Sequence, residues 1–236
     1  MNRALSRICL SLMVLTPALG LRALGEVRIS TLDSAIPHSH LCLIQSTAIS
    51  THNILDPPPH DSLNVSASTE GGMLGIKIIP NLELGGCLMI STGNLAGELS
   101  AKMLCWQDGP HYLSVKPSLI ISQGKTTYLN AEENCYARGF NLPVLYSLDT
   151  WRNLSVNASA GVNCEWVKVV VNYTNPAYTD FEIGPTPILH GQLNVNVEAT
   201  YGLFYLIPEI GLCVADGKDQ GIKTLVNSRF AIGIKW

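Results

Sequence analysis

The chain has 236 residues, 47% of them hydrophobic and only 14% charged, with a formal net charge of −3. Its lysines and arginines occur as isolated residues, which excludes the clustered basic face that nucleic-acid binding requires. Past the first residues, no apolar stretch approaches the roughly 18 residues of a helical membrane span, which excludes an anchor of that kind.

Residues 1–25 read as a secretory signal peptide. Arg3 and Arg7 precede an apolar run at 8–15, and Pro17 breaks it. Ala18-Leu19-Gly20 and Ala23-Leu24-Gly25 then offer the small-x-small spacing of a cleavage site. Three arginines (Arg3, Arg7, Arg22) fall in this leader and no acidic residue precedes Glu26. The remainder, residues 26–236, therefore carries twelve basic against eighteen acidic residues, a formal charge of −6.

The first segment after the leader is short and alternating, Glu26-Val27-Arg28-Ile29-Ser30. His38-Ser39-His40 follows and puts two imidazoles on one side of an extended backbone, so His38 and His40 are candidate metal ligands. No third ligand stands at a fixed distance from them. His52 and His60 lie in the loop-like stretch 48–68, which is rich in proline and Ser/Thr. No metal or cofactor is therefore expected.

Short strands are expected at 41–48, 73–79, 87–92 and 119–122. Asp56-Pro57-Pro58-Pro59, Gly85-Gly86, Asp108-Gly109-Pro110, Asn175-Pro176 and Asp216-Gly217 supply turn chemistry. One segment asks to be a helix: Asn130 can cap Ala131-Glu132-Glu133, and Gly139 can end the turn. Trp151 stands in a polar, turn-like context and is the aromatic expected to be exposed for a partner or a sugar. Trp106 and Trp166, close to Cys105 and Cys164, are expected to pack buried against disulfides.

Three later segments alternate with period two. Residues 164–174 have apolar character on both faces. In 192–201, Leu193, Val195, Val197, Ala199 and Tyr201 oppose Gln192, Asn194, Asn196, Glu198 and Thr200, the pattern of a strand with its apolar face on a core and the other in water. At the end, Phe230, Ile232, Ile234 and Trp236 oppose Ala231, Gly233 and Lys235.

Outside the leader there are six cysteines: Cys42, Cys87, Cys105, Cys135, Cys164 and Cys213. An even number in an exported chain predicts up to three disulfides, whose pairing the sequence leaves open. No C-x-x-C pair suggests a metal centre. Catalytic chemistry finds no support. There is no G-x-S-x-G turn, and Gly124-Lys125-Thr126 lacks the first glycine of a phosphate loop. The calcium-like run from Asp216 has Lys218 where a carboxylate belongs.

The alternating segment at 26–30, the spacing of Cys42 and Cys87 and the apolar strand at 230–236 together resemble a subunit or adhesin of the bacterial chaperone–usher fimbriae. The resemblance implies an incomplete sandwich finished by a strand donated from a neighbour, with Val27 and Ile29 in the donor segment and Cys42 and Cys87 at a separation similar to that family's disulfide. It departs from the family at Lys235, where a tyrosine is usual, and in four further cysteines. The expectation is an all-β protein: a single antiparallel β-sandwich domain over 26–236 of Ig-like or pilin-like type, with a long loop at 48–68, one short helix and disulfides. It would be a surface or secreted non-enzyme, partnered by other protein subunits through edge-strand pairing and by a glycan or host-surface ligand. An outer-membrane β-barrel, suggested by the terminal aromatic, and a secreted enzyme are the alternatives.

Overall fold

The computed structural model describes residues 32–51, 65–91, 93–127, 131–151, 153–174, 179–216 and 222–236. The leader, the Val27/Ile29 segment, His52, His60 and the capping Asn130 lie outside the described residues. The elements are β1 (His40–Thr51), β2 (Val65–Ile79), β3 (Leu82–Ser91), β4 (Asn94–Asp108), β5 (His111–Val115), β6 (Ser118–Thr127), β7 (Ala131–Trp151), β8 (Leu154–Tyr173), β9 (Phe181–Tyr201), β10 (Phe204–Asp216) and β11 (Ile222–Lys235).

These strands form one antiparallel sheet that closes on itself. β11 pairs with β1, from Lys235 opposite His40 to Thr224 opposite Thr51. β3 pairs with β4. β5 and β6 are two halves of one stave interrupted at Lys116-Pro117: both lie between β4 and β7. The result is a ten-stave barrel, not two packed sheets, so the expected sandwich is wrong. Closure also removes the open groove that strand donation needs. The terminal alternating strand, expected to belong to a polymerising subunit, is paired within its own chain.

The expected helix is also replaced by strand. Glu132 to Asn141 pairs with β6 on one side and with β8 on the other. Tyr136, Phe140, Leu142, Val144 and Tyr146 recur on its outer face. A two-turn helix offers a few local hydrogen bonds, whereas two neighbouring staves satisfy every backbone group of a 21-residue strand, so tertiary pairing overrides the cap.

The alternation in 192–201 is present as expected, but its sense is reversed. Leu193 and Val195 are more than half exposed on the outer wall, while Gln192, Asn194, Asn196 and Glu198 are buried inside. The inversion holds around the barrel: Leu43, Leu88, Leu99, Leu119, Ile121 and Ile210 face outward, and Glu83, Glu98, Lys102, Asn157, Glu209 and Arg229 face inward.

Cross-strand register turns the inner wall into a hydrogen-bonded hoop. Ser147 Oγ donates to Asn157 (2.5 Å), and Asn157 Nδ2 donates to Asn196 (2.7 Å). Asn196 Nδ2 donates to Glu209 (3.2 Å), while Arg229 donates to Glu209 (2.9 Å) and to Ser46 (3.3 Å). Each link joins directly opposed residues, so six consecutive staves, β7 through β11 and then β1, are tied at one level.

Among the described residues no disulfide forms, and the register gives the reason. Cys42 is opposite Met73, and Met73 is opposite Cys87, so a whole stave separates the two expected partners. Staves are about 4.8 Å apart, which puts residues two staves apart beyond the ~7 Å Cα limit of a disulfide. The others sit on β4, β7, β8 and β10, and no two are register partners. Trp106 and Trp166 are exposed rather than buried against sulfur.

Replacing Asn157 by Leu removes the middle of the hoop and leaves Ser147 and Asn196 short of partners. A loss of about 1–3 kcal/mol is expected, read as a lower urea midpoint of the folded barrel with an unchanged slope.

Candidate functional site: the filled lumen and its short-turn mouth

The two ends of the barrel differ. At one end the links are two residues each: 80–81, 109–110, 152–153 and 202–203. Gly109 and Gly202 take positive φ there, the conformation that tight turns require. At the other end the links are 52–64, 92–93, 128–130, 174–180 and 217–221. The described N-terminal segment and Trp236 are both at the short-turn end, where the Trp236 N–H donates to the Ser39 carbonyl (3.0 Å).

Residues 32–39 enter the barrel through that mouth. Their sequence, Leu32-Asp33-Ser34-Ala35-Ile36-Pro37-His38-Ser39, has no strand periodicity and little charge, and it is held by the wall around it. Leu32 joins an apolar patch of the lumen with Ile44, Met73, Met89 and Ile207. The Ala35 N–H donates to Ser147 on β7 (2.6 Å), and its carbonyl accepts from Ser114 on β5 (2.5 Å). The Asp33 carbonyl accepts from Asn196 on β9 (3.3 Å), and the His38 N–H donates to Glu83 on β3 (2.9 Å). The segment thus touches opposite walls and fills this half of the lumen.

At its centre is a buried charge cluster. The Asp33 carboxylate meets Lys102 Nζ at 2.8 Å and Lys116 Nζ at 3.1 Å. Lys102 also meets Glu83 at 2.7 Å, and Lys116 lies 3.8 Å from Glu98. Lys102, only 1% exposed, occupies a position that low dielectric forbids to an unpaired ammonium. Burial alone would raise the Asp33 pKa, but Lys102 and Lys116 outweigh it and hold the carboxyl well below the usual carboxylate range. For His38, burial comes first and Lys102 adds to it, so its imidazole is lowered to about 3 and stays neutral.

The candidate residues named from sequence are placed as follows. His38 is the seventh of the eight residues 32–39, and His40 opens β1; the two rings are 4.8 Å apart. Their third neighbour is Glu83 from β3, forming a group whose ligand atoms all lie within 4.8 Å of one another. Sequence spacing missed Glu83 because it is brought in by β2 and β3, and missed Asp33, Lys102 and Lys116 because only closure of the barrel makes them neighbours. Trp151 is 69% exposed at the end of β7, in a ring of outward aromatics at the short-turn end with Trp106, Tyr201, Phe204 and Trp236.

Around this ring the outer wall carries no charge for some distance. On β8 every second residue from Leu154 to Trp166 faces outward, and none is charged. The twelve steps from Leu154 to Trp166 at ~3.3 Å each, tilted as barrel strands are, make a band about 25–30 Å tall. Its upper rim carries Phe140 and Trp166, with ring centroids 6.1 Å apart. Above the rim come Arg138 and the exposed Lys168–Glu182 pair (2.8 Å). There β9 outruns β10: His190 is the last β9 residue paired with it, and residues 181–189 pair with β8 alone among the described residues. Pro185 and Pro187 lie on that free stretch.

No family model matches the chain, and no curated protein matches it. Among solved structures it is similar to the outer membrane protease OmpT from Escherichia coli. The TM-score is 0.53 and the identity 8%, over 89% of this chain and 99% of that one. It also matches Ail, the attachment invasion locus protein of Yersinia pestis, at TM-score 0.42 and 6% identity, over 85% and 100% of the two chains. Neisserial surface protein A matches at 0.40 and 8%, over 84% and 97%. The likeness to the first is one of fold: this chain has the fold of an outer-membrane β-barrel and not that of a fimbrial subunit, and the fimbrial resemblance is overturned. Such a fold agrees with the extracytoplasmic location expected from the leader.

Substituting Asp33 by Ala leaves Lys102 and Lys116 facing each other across an empty position. A cost of about 3–5 kcal/mol is expected, seen as a lower urea midpoint together with faster protease cleavage near residue 33.

Proposed function

We propose that the chain is an integral outer-membrane protein that works by presenting its long-loop end at the cell surface, anchored by a barrel that is not an open pore. The observation that carries this reading is the inverted polarity of the wall. A band of uncharged side chains about as tall as a bilayer's hydrocarbon layer, rimmed by aromatics at both edges, matches a lipid environment and would be an aggregation surface in water. Four two-residue links and Trp236 gather at one mouth, and the links of up to thirteen residues (52–64) lie at the other. Outer-membrane barrels have this asymmetry, with short turns on the periplasmic side. The long-loop end is then the outer one, and β7, β8 and β9 carry recognition surface beyond the membrane.

Residues 32–39 argue against solute passage, since they tie β3, β5, β7 and β9 together across the lumen. No acid/base pair or nucleophile stands out among the described residues at the outward end, so binding rather than bond breaking is the role proposed there. A surface ligand such as a glycan or a host protein belongs to that proposal. The protease activity named for OmpT is not carried over at this distance.

Three measurements test the reading. The purified chain should require detergent or lipid to stay folded and should migrate differently on gels before and after heating; a monomer freely soluble in buffer would reject it. Leu193→Arg, at the middle of the band, should lower the stability of the barrel in vesicles by about 2–4 kcal/mol. In planar bilayers the intact chain should give no stable conductance, whereas a deletion of residues 32–37 should give discrete channel steps. Steady channels from the intact chain would refute the plug.

A further inference from the structure

We infer that His38, His40 and Glu83 form a binding site for a divalent transition metal at the short-turn mouth, pinning the luminal segment to the wall. The geometry that carries it is convergent. His38 belongs to the inserted segment, His40 to the first residue of β1 and Glu83 to β3, and one ligand atom from each lies within 4.8 Å of the other two. In a tetrahedral site, with metal–ligand bonds near 2.0–2.2 Å, such atoms stand about 3.3 Å apart. Closing the gap requires the side chains to turn, the His40 ring so that Nε2 rather than Nδ1 meets Glu83 Oε1.

The hydrogen bonds prepare both histidines as ligands. His38 Nδ1 is 2.8 Å from the Ile36 carbonyl, and His40 Nδ1 is 3.3 Å from the His38 carbonyl. A carbonyl can only accept, so each Nδ1 carries the proton and each Nε2 keeps its lone pair. This is the arrangement in which a backbone acceptor orients a metal-binding imidazole. His40 is 1% exposed, and its Nε2 is buried with no hydrogen-bond partner. An orphaned acceptor of that kind costs free energy unless something fills the role.

Glu83 is divided in the same way. Its Oε2 takes Lys102 and the His38 N–H, while Oε1 lies on the Nδ1 side of the His40 ring, 3.8 Å from that nitrogen. Space is kept by Gly75 on β2, opposite His40: a Cβ there would overlap the His40 ring and come within 2.6 Å of Glu83 Oε1. Two imidazoles and one carboxylate suit zinc, cobalt or copper rather than calcium or magnesium. His38 is only partly buried at the mouth, so an ion can reach the site from the short-turn side, and water would complete the coordination.

The inference rests on the fold, not on the surface-presentation reading, and the two fail separately. Co2+ is the probe, added to the folded full chain in detergent and followed by absorption and by equilibrium dialysis. One ion per chain is expected, with visible d–d bands of nitrogen/oxygen ligation and without the near-ultraviolet charge-transfer band of a thiolate. His38→Ala and His40→Ala should each weaken binding at least tenfold. Gly75→Ala, which leaves all three ligands in place, should weaken it too. Heat-dependent gel mobility identifies variants that still fold, and His38→Gln, outside any strand, serves if His40→Ala does not. Binding that survives both histidine changes, a thiolate band from the six cysteines, or no ion retained at all would each overturn the site.

Discussion

An open sheet leaves a row of backbone N–H and C=O groups unpaired along each margin, and those groups demand partners. Pairing of β1 with β11 meets that demand: it converts a sheet with two unpaired margins into a surface with none. The remaining features follow from closure. Once the outer face is committed to an apolar surrounding, polar side chains have only the inside to occupy. Once they are inside, they have only one another, and the Ser147–Asn157–Asn196–Glu209–Arg229–Ser46 hoop and the Asp33–Lys102–Lys116 cluster are the outcome.

The inserted segment completes this economy. Lys102 and Lys116 project from neighbouring staves into a space where unpaired ammonium groups would be prohibitive. Asp33, which no stave supplies, brings the carboxylate that neutralises them. The plug is thus part of the electrostatics of the wall as well as an obstruction in the lumen. The hydrogen bonds donated by Ser114 and Asn196 and the one accepted by Ser147 set where Asp33 stands, and the backbone that follows brings His38 and His40 to the mouth.

Period-two alternation in 192–201 and 230–236 was legible in the sequence, down to which residues share a face. Which face meets water was not, because an alternating strand reads identically whether its apolar side covers a core or meets lipid. The signal that separates them is collective: in 154–166 seven successive outward positions carry no charge, which becomes meaningful only when the neighbouring staves repeat it. The Asn130 cap misled for a related reason, since Glu132 and Glu133 are legible as a first helical turn and the two flanking staves that claim them are not. Cysteine parity misled as well: export makes disulfides possible, but Cys42 and Cys87 end on opposite sides of Met73. Of the candidate site, His38 and His40 were visible as a spacing. Glu83, 43 residues beyond His40, has no local mark that links it to them.

The seam joins β1, which begins at His40, to β11, which ends at Lys235. A nascent chain emerging from its amino end therefore holds the first stave long before the last one exists, and the intervening staves must wait in an unsealed curve. Contacts so distant along the chain carry a large loop-closure entropy and form slowly. The Trp236 N–H to Ser39 carbonyl bond is the last rung of that seam, so the luminal segment runs directly into its closing edge. Until the seam forms, the free margin of β1 is open to pairing with another chain.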